Sequence, residues 1–304
     1  MKRLRERARV SADVRRFFDA RGFLEVQTPL MVPSPGLDVH LDAFEIAGGA
    51  GGAPRWLSTS PEYQMKRLLA GGLTRIYQIA PCFRRGEQGS RHNPEFTMVE
   101  WYRAGAGIDD VMRDTEQLVA AVTGGAVRLG DRTIDVKPPF ERIGVCEAFE
   151  RFAGWPPEET LAAADHDEER YFRALVDSVE PALAQADAGV FLVDFPATQA
   201  SLARSRPDDP RLAERFELYV AGVELCNGFG ELVDPVEQRR RLVRDQATRR
   251  ARGLPVYPID ERFVEALGRV PPSGGNALGL DRLVALACGA TEIADVLAFT
   301  ADEV

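Results

Sequence analysis

The stretch RIYQIAPCFRRGEQGSRHNPEFTMVEWY, residues 75–102, sets two strand-like runs on either side of a polar loop and reads as a long β-hairpin. In its second run side chains alternate, so Phe96, Met98, Glu100 and Tyr102 share one face and Glu95, Thr97, Val99 and Trp101 the other. Each face carries a carboxylate beside large apolar groups. Such a group needs a cation, a set of hydrogen-bond donors or an edge position in water. RFELYVAGVELCNGFGELVD is a second hairpin-like pair, and GVFLVDFPA a buried strand.

Helical text lies between these strands. Leu4, Val10, Val14, Phe17 and Phe18 form an apolar stripe that Gly22 stops. SPEYQMKRLLAGG predicts a helix with Ser60 as N-cap and Pro61 at its first position. IDDVMRDTEQLVAAVTGG and HDEERYFRALVDSVEPALA each predict another helix. Residues 234–252 predict a helix capped by Asp234, with Pro235 first and Gly253 beyond its end. GGNALGLDRLVALACGA is a glycine-rich strand turning into an apolar helix. Antiparallel hairpins separated by helices give an α+β fold, an antiparallel sheet flanked by helices. No repeat or linker divides residues 1–304, which are expected to form one domain. GGAGGAPR, residues 48–55, has no phosphate-loop spacing and is expected to be a hairpin loop.

With 38 Lys and Arg against 47 Asp and Glu, the net charge of −9 argues against non-specific coating of nucleic acid. Cys82, Cys146, Cys226 and Cys288 show no paired spacing and read as reduced structural thiols. The basic start lacks a signal peptide's apolar segment, and no 18-residue apolar run follows, so a cytoplasmic location without a membrane is expected.

Three clusters of arginine and acid stand out: Arg84 followed by His92, Glu95 and Glu100; Glu217, Glu224 and Glu231, seven residues apart, with Asn227 and Phe229 among them; and Arg282 after GGNALGLD. Acids clustered in apolar strand text repel unless cations lie between them. Oxygen ligands without supporting His or Cys favour Mg²⁺, which commonly arrives with phosphates that arginine forks can hold.

These clusters resemble motifs 1, 2 and 3 of the class II aminoacyl-tRNA synthetases: Pro29 in FLEVQTPLM, FRRGE with RHNPEFTMVEWY, and GNALGLDRL. SPEYQMKRL, RHNPEFT and ELCNGFGEL are similar to the lysine branch, over nearly the whole chain. Only one helix precedes motif 1, so the resemblance implies a catalytic core without the N-terminal OB-fold anticodon-binding domain. EWYRAG, PATQASLA, ARGLPVYPID and GNALGLDRL resemble the paralogous branch that modifies elongation factor P with (R)-β-lysine.

The resemblance implies use of ATP and Mg²⁺, with (R)-β-lysine or lysine activated as an adenylate and passed to a lysine ε-amine of elongation factor P. No tRNA is expected as partner. Arg84 and Arg282 are the implied catalytic residues, on the α- and γ-phosphates. Arg85, Gly86, Glu87, His92, Asn93, Phe96, Glu224, Leu225 and Gly279 complete the implied ATP site, with Glu217 and Glu224 on Mg²⁺. Ser60, Pro61, Glu62, Glu100, Tyr102, Asn227, Phe229, Glu231 and Ala277 are implied around the amino acid, and Pro29 at a homodimer interface.

Two positions depart from the lysyl-tRNA synthetase pattern. Gly86 stands where motif 2 has an acid, with Glu87 one place later, and Ala277 stands where glycine is usual. The Ala277 methyl would reshape the pocket near the α-carbon, a preference worth about 1–3 kcal/mol. A minimal lysyl-tRNA synthetase and a non-catalytic regulatory paralogue are the alternative readings. The seven arginines Arg239, Arg240, Arg241, Arg244, Arg249, Arg250 and Arg252 form either a solvated face or a dock for an acidic acceptor. No base for the transfer step is evident in the sequence.

Overall fold

A computed structural model describes residues 2–48 and 52–304, so the glycine-rich loop expected over 48–55 lies partly outside the described residues. The strands are β1 (Leu24–Glu25), β2 (Met31–Val32), β3 (Glu45–Ile46), β4 (Arg55–Leu57), β5 (Arg75–Phe83), β6 (Glu95–Ala104), β7 (Ala126–Leu129), β8 (Arg132–Asp135), β9 (Glu141–Gly144), β10 (Val190–Pro196), β11 (Leu212–Val220), β12 (Val223–Gly230) and β13 (Ser273–Gly279). The α-helices are α1 (Lys2–Asp19), α2 (Glu62–Ala70), α3 (Ile108–Thr123), α4 (Val145–Ala153), α5 (Pro157–His166), α6 (Glu168–Ala174), α7 (Glu180–Leu183), α8 (Pro235–Ala251), α9 (Glu261–Leu267) and α10 (Leu280–Ala287).

Among the described residues the main sheet has the order β1-β5-β6-β13-β12-β11-β10-β9. Its inner pairs are antiparallel, while β1 on β5 and β9 on β10 are parallel at the two edges. The expected α+β architecture is present. One face of the sheet buries Val99, Trp101, Phe216 and Leu278 against apolar residues of α1, α3 and α10. The other face of β6 carries Met98, Glu100 and Tyr102, as alternation predicts, and looks into a cleft bounded by α2, α8 and the segment after β2.

Glycine makes that cleft possible. In register, Gly275 of β13 lies opposite both Tyr102 and Phe229, and a side-chain carbon on Gly275 would overlap the Tyr102 ring and the Glu231 carboxylate.

Local differences from the sequence reading have physical causes. Helix α2 starts at Glu62, with Pro61 as its N-cap. Ser60 therefore sits one place earlier than expected: it accepts the Glu62 N–H at 3.1 Å while donating to Glu100 Oε1 at 2.6 Å. The single helix expected through Pro181 is broken into α6 and α7 by a π-helical turn at Leu175–Val179. Pro181 has no N–H for an ordinary helical bond, and a wide turn accommodates that loss.

The arginine-rich face of α8 is mostly spoken for. Arg241 is buried and donates to the carbonyls of Ala200 and Ala203 at 2.9 and 2.8 Å. Arg249, fully buried, donates to the carbonyls of Asp38 and Leu41 at 2.6 and 2.9 Å and pairs with Asp42. Arg239, Arg240 and Arg252 pair with Glu261, Glu237 and Glu168. This face clamps the segment over the cleft more than it offers free charge.

Candidate active site

Two cavities of about 420 and about 190 Å³ adjoin in the cleft. Arg84, Met98, Asn227 and Ala277 line both, so the cavities are compartments of one space. The larger also takes in Glu87, His92, Asn93, Phe96, Glu217, Glu224, Leu225, Gly279 and Arg282; the smaller, Ser60, Glu62 and Phe229.

Motif 2 text builds one wall. Arg84 follows the end of β5, its Nε reaches the Thr59 carbonyl at 3.5 Å, and its guanidinium lies 5.0 Å from the Phe96 ring centroid. Gly86 adopts φ +86, a left-handed turn that favours glycine. That turn leaves Glu87 at 3.5 Å from Arg84, so the acid displaced by one position still faces the cleft. Asn93 donates to the Glu95 carbonyl at 2.6 Å.

Motif 3 text supplies the opposite wall. Asp281 accepts the Thr97 N–H at 2.7 Å and pairs with Arg7, fixing the start of α10 against β6. Next to it, Arg282 donates to the Glu224 carbonyl at 2.8 Å and to His92 Nε2 at 2.8 Å. A guanidinium only donates, so His92 Nε2 is the acceptor and the ring proton sits on Nδ1. Burial and the Arg282 charge both hold the His92 pKa below its ordinary value.

The acids of β11 and β12 share a face because of one extra residue. A seven-residue spacing is odd, and in regular strands it would put Glu224 and Glu231 on opposite faces. The pairing shifts between Leu218 with Cys226 and Tyr219 with Glu224, leaving Leu225 unpaired as a β-bulge. Beyond the bulge the parity is restored.

Each acid has its own neighbour. Glu217 pairs with Arg215 at 2.5 Å and accepts from the Tyr219 hydroxyl at 2.8 Å. Burial pushes its carboxyl up to about 6, with Arg215 drawing it down and Glu224 adding to the rise. Glu231, fully buried, lies 2.5 Å from Lys66 Nζ, which is also 2.6 Å from Glu62. Buried Lys66 stays charged because two carboxylates outweigh its desolvation. Glu100 accepts from Ser60 at 2.6 Å and from the Tyr102 hydroxyl at 2.9 Å. No cation pairs with it among the described residues, and burial, then the nearby Glu62 charge, push its carboxyl up to about 8.

Several expected positions need correction. Arg85 points away and pairs with Asp42 at 3.0 Å, and Gly86 and Pro61 do not line either cavity. Glu100, Tyr102 and Glu231 are buried beneath the cavity wall, reached through Ser60, Glu62 and Ala277. Sequence reasoning missed Arg215, which is half-buried, lines both compartments and bonds Asn227 at 3.2 Å as well as Glu217. It also missed Lys66. Arg215 stands two residues from Glu217 in an alternating strand, and that same-face spacing was its signal.

Among the described residues no cluster of three or more His, Cys, Asp or Glu forms a metal-ligand set, and no helix is long and apolar enough to cross a membrane. A Mg²⁺ carried with phosphates needs only one or two protein carboxylates. Glu224, facing the larger compartment, and Glu217, destabilised by burial beside it, fit that requirement.

The model of the class II tRNA synthetases specific for D, K and N matches residues 1–303, and the chain belongs to this family. Within the family it is similar to proteins named elongation factor P–(R)-β-lysine ligase. It is 42% identical to that of Erwinia tasmaniensis, over 98% of this chain and 95% of the relative. Identity to the Enterobacter sp. (strain 638) protein is 42% and to the Salmonella dublin protein 40%, with the same coverage of both chains.

Proposed function

We propose that the chain is an ATP-dependent aminoacyl ligase: it activates (R)-β-lysine or lysine as an aminoacyl-adenylate and transfers it to a lysine ε-amine of elongation factor P. The reading rests on Arg84, which stands where a compartment suited to a nucleotide meets a smaller acidic one. An amino acid bound in the smaller compartment presents its carboxylate there to the α-phosphate of a nucleotide in the larger.

No base is required for activation, because the carboxylate is ionised at neutral pH and is itself the nucleophile. Arg84 holds the α-phosphate as charge develops, and Arg282 exchanges its hydrogen bonds to Glu224 and His92 for the phosphate tail. Glu224 would be the main holder of Mg²⁺, because Arg215 and Tyr219 already engage Glu217, and the ion would supply charge neutralisation on the phosphates. Phe96 offers a face to adenine. Ser60, Glu62 and the acids behind them accept the substrate's ammonium groups, and the Ala277 methyl, opposite Glu100 and Asn227, shapes the space between.

One catalytic domain suffices for this chemistry, and the proposal includes no tRNA acceptor. A homodimer is part of it: Leu24 and Met31, 53% and 46% exposed, flank Pro29 and are apolar surface for a second copy to cover. Light scattering of the purified chain reads that mass.

Pyrophosphate exchange with α- and β-lysine, mass spectrometry of elongation factor P and a tRNA-charging assay test the activity together. Exchange with lysine and a mass gain on the factor are expected. Absence of exchange with either amino acid overturns the ligase reading, and charged tRNA without modified factor redirects it to a minimal synthetase.

A further inference from the structure

The transfer half-reaction needs a proton acceptor, because a lysine ammonium with an ordinary pKa of about 10.4 cannot attack a carbonyl. His40, on the segment after β2, lines the larger compartment, and its Nε2 lies 3.1 Å from Glu168 Oε1 at the start of α6. Glu168 also pairs with Arg252 at the end of α8 and accepts from Gln199 Nε2 at 3.3 Å. Burial raises its carboxyl, yet the Arg252 bond and the neighbouring charges bring it below the ordinary value, so it is an acceptor. An ionised carboxylate at Nε2 places the neutral ring's proton there and leaves the lone pair on Nδ1. Among the described residues no other group bonds the ring nitrogens.

Location agrees with this electronic arrangement. Asp38 and Leu41, on either side of His40, line both compartments, as does Gln199 beside Glu168. The pair lines the larger compartment, and its neighbours Asp38, Leu41 and Gln199 line both, as does Arg84, near which an adenylate carbonyl would lie. Buried Arg249 fixes the carbonyls of Asp38 and Leu41, so the segment is clamped. His92 is the other cleft imidazole, and its free lone pair already accepts from Arg282.

We propose that His40, oriented by Glu168 and Arg252, is the general base of the transfer step. This rests on the reading that an adenylate is discharged onto a lysine amine. The acceptor ammonium gives one proton to Nδ1; the amine nitrogen bonds the adenylate carbonyl carbon; the bond from that carbon to the phosphate oxygen breaks and AMP leaves. The second proton, from the tetrahedral nitrogen, leaves on the AMP phosphate, whose second pKa is near 6. The imidazolium then returns its proton to water.

The test separates the half-reactions in His40→Gln by pyrophosphate exchange with β-lysine and by single-turnover transfer from preformed adenylate to elongation factor P. Exchange is expected within about twofold of wild type and transfer about 10²-fold slower at neutral pH. The deficit shrinks as pH rises towards the acceptor's own pKa, and added imidazole restores transfer in His40→Ala. Glu168→Gln loses less, about tenfold, with unchanged exchange. Wild-type transfer by His40→Gln across pH, or equal loss of both half-reactions, overturns the proposal. If wild type exchanges pyrophosphate but leaves elongation factor P unmodified, the acceptor reading fails instead, and the same comparison with Nα-acetyllysine as acceptor still reads the base.

Discussion

At the end of the cleft proposed for the amino acid the polar groups are held by short contacts: Ser60 to Glu100 at 2.6 Å, Lys66 to Glu62 at 2.6 Å and Lys66 to Glu231 at 2.5 Å. At the end proposed for the phosphates Arg84 reaches only long partners, Thr59 and Glu87 at 3.5 Å, and Arg282 rests partly on the carbonyls of Arg91 and Glu224. The contrast matches two tasks. Recognition of a substrate with two ammonium groups would benefit from groups fixed before binding, whereas phosphate capture would benefit from guanidiniums whose existing bonds can be exchanged.

Lys66→Met breaks the first end most severely. It leaves Glu231 and Glu62 without their cation, and removing one partner of a buried ion pair costs about 3–5 kcal/mol. Denaturant unfolding is expected to show that loss, and adding Glu231→Gln to recover much of it. Wild-type stability for Lys66→Met would mean that this end is not organised by the ion pair.

Arg84→Ala is the complementary break, in rate and not in stability. Loss of a charge-stabilising donor typically costs about 10²–10³ in kcat. Pyrophosphate exchange should fall by that factor while the unfolding midpoint moves by less than about 0.5 kcal/mol equivalent. A large stability loss instead would place Arg84 among the fixed groups, erasing the contrast.

Protonation of Glu100 sharpens the comparison further. Its carboxyl, pushed up to about 8 from 4.5, is mostly neutral at pH 7 in the free protein. An ammonium requires the ionised form. Lysine affinity should therefore rise about tenfold per pH unit below 8 and then level, with proton release on binding, while Glu100→Gln flattens the slope. Because the folded value lies above the unfolded one, Glu100 disfavours the free fold increasingly as pH rises from 4.5 through about 8. Bound lysine removes that trend. Calorimetry in buffers of different ionisation enthalpy counts the proton; the facing groups Ser60, Glu62, Tyr102 and Arg84 are the ones through which a different count would arise.

Alternation made the faces of β6 readable, because every second residue must meet the same environment: Val99 and Trp101 meet the core, Met98, Glu100 and Tyr102 the cleft. The bulge at Leu225 was not readable, since an unpaired residue in a strand changes backbone pairing and not composition. Lys66 and Glu231 are 165 residues apart, and nothing local announces an ion pair formed only when α2 packs beside the sheet. The buried side of α8 did leave a trace: Arg241, Asp245 and Arg249 recur every four residues, one helical face, but their charge disguised it as surface. Arginine can be buried there because backbone carbonyls, invisible in a sequence, accept its fork.

The smallest predicted effect tests how finely the fixed end discriminates. Ala277 stands between Glu100 and Asn227 on adjacent strands, so its methyl is an apolar bump between the acid proposed to bind an ammonium and the amide at the compartment junction. Moving an amine by one carbon changes where a substrate meets that bump. Ala277→Gly should relax preference for β-lysine over α-lysine by about 1 kcal/mol, a fivefold or so change in the ratio of exchange rates. Stability should fall by a comparable amount, because glycine in a strand interior is entropically unfavourable. A change in the ratio without a change in maximal exchange rate would assign the methyl to ground-state fit. Equal loss for both amino acids would mean that the bump supports the sheet and leaves discrimination to Ser60 and Glu62.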